Sequence, residues 1–111
     1  MMPTFDSDSP DALVTLREYP SGTVFARHTH PRGQFAYAST GALKMFTDLG
    51  NWVVPPQRAI WVPGGVPHEM QMRGDVVMLN TYLDAGAAAR AGLQARCQVF
   101  EVSPLLRHLL Q

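Results

Sequence analysis

Cysteine is nearly missing from these 111 residues: Cys97 stands alone, so no internal disulfide can form. It reads as a packing residue on a strand, and the lack of a disulfide framework fits a reducing cytoplasm. An excess of charge of either sign is missing too. Nine basic residues balance nine acidic ones, which leaves no electrostatic footprint for nucleic acid, and this chain alone is expected not to bind DNA. No apolar run approaches the roughly 18 residues that a membrane span requires, so no membrane partner is expected. The opening MMPTFDSDSPD has neither the basic start nor the apolar stretch of a signal peptide. Also absent are a Gly-rich phosphate loop, a nucleophile elbow and a Cys-x-x-Cys pair, which removes the commonest nucleotide, hydrolase and thiol chemistries.

What is present is an ordinary apolar fraction of 46% and many turn formers, nine glycines and nine prolines. The length suits one domain with one core. Residues 1–10 are polar and read as a flexible tail. From there to residue 102 the chain alternates apolar and polar residues in short runs bounded by turn signals. Strands are predicted at 12–18, 23–29, 33–40, 42–47, 52–54, 57–62, 68–72, 76–83 and 96–102, with Gly41 as a turn and Arg73-Gly74-Asp75 as a hairpin turn. Many short strands at this spacing predict an all-β barrel or sandwich over residues 11–102. The alanine-rich stretch 84–95 reads as a loop with one helical turn, because Gly86 and Gly92 weaken the helix. Ser103-Pro104 then reads as a capping serine with proline in the first helical position, opening a short helix over 103–111 with a leucine stripe.

The polar residues that stand out lie between Gly22 and Gly41, GTVFARHTHPRGQFAYASTG. Residues two apart on a strand face the same way, so His28 and His30 point together. The turn Pro31-Arg32-Gly33 brings the chain back with Gln34 near the start of the next strand. Pro63-Gly64-Gly65-Val66-Pro67-His68 delivers a third histidine at the head of another strand. Three imidazoles and an amide from three strands are a candidate metal site, since imidazole suits Zn, Fe, Ni or Cu. A hydrogen-bonded polar cluster without metal is the other reading of the same residues.

These residues resemble the cupin superfamily. Its first motif is glycine, five residues, His-x-His, three or four residues, glutamate, six residues, glycine. Gly22, His28, His30, Gln34 and Gly41 follow that spacing, with Gln34 in the glutamate's place. In the second motif Pro63, Gly65 and His68 match, while Gln57 replaces the leading glycine and Met72 the asparagine. A narrower resemblance covers nearly the whole chain. HTHPRGQFAYASTG, GNWVVPPQRAIWVPGGVPH and CQVFEVSPLLRHLL look like the N-terminal sensor domain of AraC-type transcription regulators. The resemblance implies a cupin, or jelly-roll, β-barrel (a double-stranded β-helix) with a short C-terminal helix. It also implies a homodimer, a small-molecule effector, and a helix-turn-helix DNA-binding domain that would begin where this chain stops at Gln111. The metal would be a divalent ion such as Zn, Ni, Fe or Mn on His28, His30, Gln34 and His68.

Strand parity extends the site. If His28, His30 and Gln34 face inward, so do Val24, Ala26, Ala36 and Ala38, while Phe25, Phe35 and Tyr37 face outward. Ala26, Ala36 and Ala38 leave volume beside the polar cluster, and Met70 and Met72, in phase with His68, add an adaptable apolar lining. These five residues are the expected ligand pocket. No residue presents itself as a general acid or base, because parity points Glu69 away from the face of His68. Effector sensing is therefore the primary reading, and a small stand-alone metal-dependent cupin enzyme, a dioxygenase or isomerase, is the alternative.

Overall fold

The computed structural model describes residues 12–102. The expected N-terminal tail and the expected C-terminal helix, with its leucine stripe and His108, lie outside them. Two long strands form the spine: β3 (Gly33–Thr47) and β6 (His68–Leu83), antiparallel to each other along their whole length. The second half of β6 pairs with β1 (Ala12–Tyr19), and the first half of β3 pairs with β5 (Arg58–Val62), which in turn carries β7 (Gln98–Glu101). At the other end the first half of β6 pairs with β2 (Val24–His28), and the second half of β3 pairs with β4 (Gly50–Val54). The two halves fold over one core, giving an all-β jelly-roll barrel. One short helix, α1 (Ala85–Arg90), follows β6 and is capped by Asp84, whose carboxylate accepts from the Ala87 amide at 2.8 Å.

Two expected turns are absent. Neither Gly41 nor Arg73-Gly74-Asp75 reverses the chain; β3 and β6 continue through them. Both glycines adopt left-handed backbone, φ 69° and 70°, and the pairing register slips twice between Ala38 and Ala42. A left-handed glycine inside a paired strand makes a bulge, which bends the ladder without ending it. The strands touch there: a side chain on Gly41 would come within 2.7 Å of Val76 and 2.8 Å of the Asp75 carbonyl. This bend lets each long strand serve both halves of the barrel.

The inward face carries Leu43, Met45, Val54, Ile60, Val62, Val76 and Met78 together with Ala36, Ala38, Met70 and Met72, all at most 5% exposed. Each larger side chain buried in this way stabilises the fold by about 1.5–3 kcal/mol. On the opposite face Tyr37 is buried among Ala59, Val102, Phe35 and Leu79. The parity expectation fails on β2. Val24 and Ala26 are exposed, and Phe25 turns inward to meet Tyr19 edge-on at 5.0 Å. A one-residue register shift between Phe25 and His28 is the reason, since it inverts which residues face the core.

Two turns dock on one another to fix the site. The Gly65 amide donates to the His30 carbonyl at 2.9 Å, and a side chain on Gly64 would sit 2.1 Å from the Pro31 carbonyl oxygen. Gly64→Ala should therefore destabilise the protein by about 2–3 kcal/mol through forced separation of the turns. Gly65→Ala meets open space and only a left-handed backbone (φ 81°), which should cost about 1–2 kcal/mol. Urea denaturation of both variants checks the order. Gln57, in the place of the motif's glycine, also holds a left-handed φ of 68°. Gln57→Gly should raise stability by up to about 1 kcal/mol, read as an upward shift of Tm.

Candidate metal centre

His28 ends β2 and His68 opens β6, and the two are direct partners in the ladder; His30 follows just before the turn at Pro31. Burial deepens from His28 through His30 to His68, which has no exposed surface. The rings pack closely, with centroids 4.4 Å apart for His28 and His68, 5.0 Å for His30 and His68, and 5.7 Å for His28 and His30.

Main-chain carbonyls orient every ring. Nδ1 of His28 lies 2.8 Å from the Ala26 carbonyl, Nδ1 of His30 lies 2.6 Å from that of Arg32, and Nδ1 of His68 lies 2.8 Å from that of Val66. A carbonyl oxygen only accepts, so each Nδ1 carries the proton and donates. Each Nε2 then keeps its lone pair, the form in which imidazole ligates a metal. The ligand nitrogens of the three rings lie within 4.8 Å of one another, so this group can hold a metal ion. Ala26, expected to lend its side chain to a pocket, serves the site through its carbonyl instead.

Gln34 is 1% exposed and donates its Nε2 hydrogen to Asn80 Oδ1 at 2.7 Å, which leaves Oε1 as its remaining acceptor. Tyr82, the ladder partner of Gln34, stands edge-on to His30 with centroids 5.7 Å apart. Gln34 Oε1, His30 Nε2 and His68 Nε2 are all buried without a hydrogen-bond partner. Such orphaned groups cost about 1–3 kcal/mol each. All three are lone-pair donors, a set that a cation satisfies and that packing against hydrocarbon does not. The residues present therefore fit a divalent ion of the imidazole-binding type.

Asn80 had no place in the sequence reading, and Tyr82 could be read there only as an aromatic that lines the pocket or packs in the core. The hairpin expected at 73–75 hid Asn80. With β6 continuous, residues 68, 70, 72, 76, 78 and 80 are all buried, so Asn80 falls in phase with His68. Burial pushes the Tyr82 phenol up, which keeps it protonated beside His30. Of the remaining expected pocket residues, Ala36, Ala38, Met70 and Met72 lie together in the core cluster. Cys97 packs on the same cluster, and burial raises its thiol pKa, as suits an unreactive packing residue.

Burial also pushes the His68 pKa down to about 4; the Val66 carbonyl pulls it up, and His28 and His30 press it further down. An unfolded histidine titrates near 6.5, so between pH 6.5 and 4 the unfolded chain binds more protons than the folded one. The contribution of neutral His68 is thus complete above pH 6.5 and is lost as pH falls toward 4. Chelator-treated protein should lose up to about 3 kcal/mol across that window. Urea titrations at pH 7, 5.5 and 4 check this, with His68→Gln expected to flatten the slope.

The sequence model of the family described as AraC-like ligand binding domain matches residues 12–111. The HTH-type transcriptional regulator NimR of Escherichia coli is 32% identical over 83 residues, 75% of this chain. This chain spans only 29% of that regulator's length. Among solved structures, a cupin superfamily protein from Desulfitobacterium hafniense superposes with a TM-score of 0.63 at 18% identity, covering 75% of this chain and 74% of that one. Bacillus subtilis oxalate decarboxylase, whose Mn(II) centers were the object of its structure, superposes with a TM-score of 0.60 at 16% identity, over 84% of this chain and 34% of the enzyme. The fold is that of the cupins, and the chain belongs to the family of AraC-like ligand binding domains.

Proposed function

We propose that this chain is the effector-sensing domain of a cytoplasmic AraC-type transcription regulator, and that it binds a small molecule beside a divalent metal held by His28, His30, Gln34 and His68. The observation that carries this reading is the set of buried, unpartnered lone pairs on His30, His68 and Gln34, aimed by backbone and Asn80 contacts. The regulator relative and the Mn(II) of the cupin decarboxylase support it from outside the chain. When bound, the ion would supply a positive centre that attracts a donor atom of the effector. Gln34 contributes a neutral oxygen where a carboxylate would neutralise charge, so the ligand set leaves the ion its full charge. Ala36, Ala38, Met70 and Met72 are the proposed apolar wall, and the unbranched methionines can repack around a guest. DNA would be contacted by a separate helix-turn-helix domain. A homodimer belongs to the same reading, supported by Val14 and Leu16, each 58% exposed on the strand that ends the sheet.

The alternative of a metal-dependent enzyme needs a proton-transfer group, and among the described residues no carboxylate joins the three histidines. Glu69 stands opposite Phe46 in the ladder and accepts from Gln71, away from His68. Binding is the function these residues support.

Titration of Zn, Ni, Mn and Fe(II) into chelator-stripped protein, with Tm as readout, tests the site. At least one ion should raise Tm by several degrees at saturating concentration. Gln34→Glu should tighten divalent binding by adding an anionic ligand, about tenfold, and His68→Ala should abolish it. If no ion raises Tm in wild type or Gln34→Glu, the metal reading fails, because a buried carboxylate without a cation would only destabilise the fold.

A further inference from the structure

A cavity of about 340 Å³, with none of the three histidines in its lining, lies between α1 and the two docked turns. Its floor is the indole of Trp61 on β5, and its walls include Pro31, Pro63, Leu83, Ala88 and Leu93. These walls are built. The six-membered ring of Trp61 lies so close to Gly33 that a side chain there would approach it to 2.0 Å. The indole nitrogen donates to the Gln94 carbonyl at 2.9 Å, pinning the loop that follows α1. The Leu93 amide returns to the Ala88 carbonyl at 3.0 Å, with Gly92 in left-handed backbone, so the helix end and the loop close as one unit.

Among the described residues no charged side chain lines this cavity, and the only side-chain polar groups there are the Trp61 indole and the Gln94 amide. An ion entering it would meet no charged partner among the described lining residues, whereas a neutral ring would exchange water for aromatic and aliphatic contact. The volume lies within the range of small-molecule sites and is about twice that of a cavity able to hold benzene. We infer that this cavity is a second ligand site, which takes an uncharged, flat, apolar molecule of one or two fused rings. The same two turns carry His30 and His68, but the inference does not depend on a metal.

Indole is the probe, added to the full chain and followed by proton–nitrogen NMR. It should shift the Trp61 indole resonance and the Gly64 and Leu93 amides, saturating with a Kd of about 0.1–1 mM, and leave the Trp52 indole unmoved. Tryptamine and indole-3-acetate, the same ring with a charge of either sign, should bind at least tenfold more weakly. Ala89→Phe and Ala85→Leu fill the cavity from its exposed rim, and whichever folds as wild type should weaken indole at least tenfold. Shifts that do not saturate, charged analogues binding as well as indole, or filled variants binding as wild type would overturn the assignment. So would Overhauser contacts from Leu105 or Leu106 to the Trp61 ring, which would make the chain's own C-terminal segment the occupant.

Discussion

The docking of one turn on another is the constraint on which the site depends. Gly64 lies against the Pro31 carbonyl with no room for a single extra carbon, and Gly65 holds the His30 carbonyl. Because His30 precedes one turn and His68 follows the other, this contact brings together rings from distant parts of the chain. Their remaining freedom is rotation about the side chain, and that is removed by carbonyls at residues 26, 32 and 66. Metal sites work when ligands are held before the ion arrives, since ordering them afterwards would oppose binding.

Gln34 is the chemical peculiarity of the centre. Asn80 takes its amide hydrogen and thereby turns its oxygen into the spare acceptor. An amide in place of a carboxylate keeps the shape, exchanges one acceptor oxygen for the NH2 donor that Asn80 receives, and removes one negative charge. In a buried setting that charge is worth far more than at a surface, because little water screens it. Among the described residues no carboxylate joins the histidine group.

The barrel itself rests on two glycines. With Gly41 and Gly74 in left-handed conformation at the same crossing, two strands of 15 and 16 residues bend without breaking their ladder. A core rich in methionine then joins both halves, with Met45 directly opposite Met70 and Met78 opposite Ala38. Flexible thioethers fill the irregular space that a bent sheet leaves between its layers.

Spacing alone was enough to place His28, His30 and His68 as a group, to indicate an all-β chain, and to locate most strands. Those features are local: alternation, turn residues and motif intervals are written in neighbouring positions. The tertiary structure decided the rest. Whether Gly41 and Gly74 turn or bulge depends on a facing strand, and the same local sequence permits either. The slip that exposed Ala26 and buried Phe25 depends on how β2 registers against β6. Asn80 and Tyr82 reach the centre only because β6 continues past the bend, and the tautomer of each histidine depends on which carbonyl lies beside it. Pairing, register and hydrogen-bond partners are properties of two segments meeting, and no single stretch of sequence contains them.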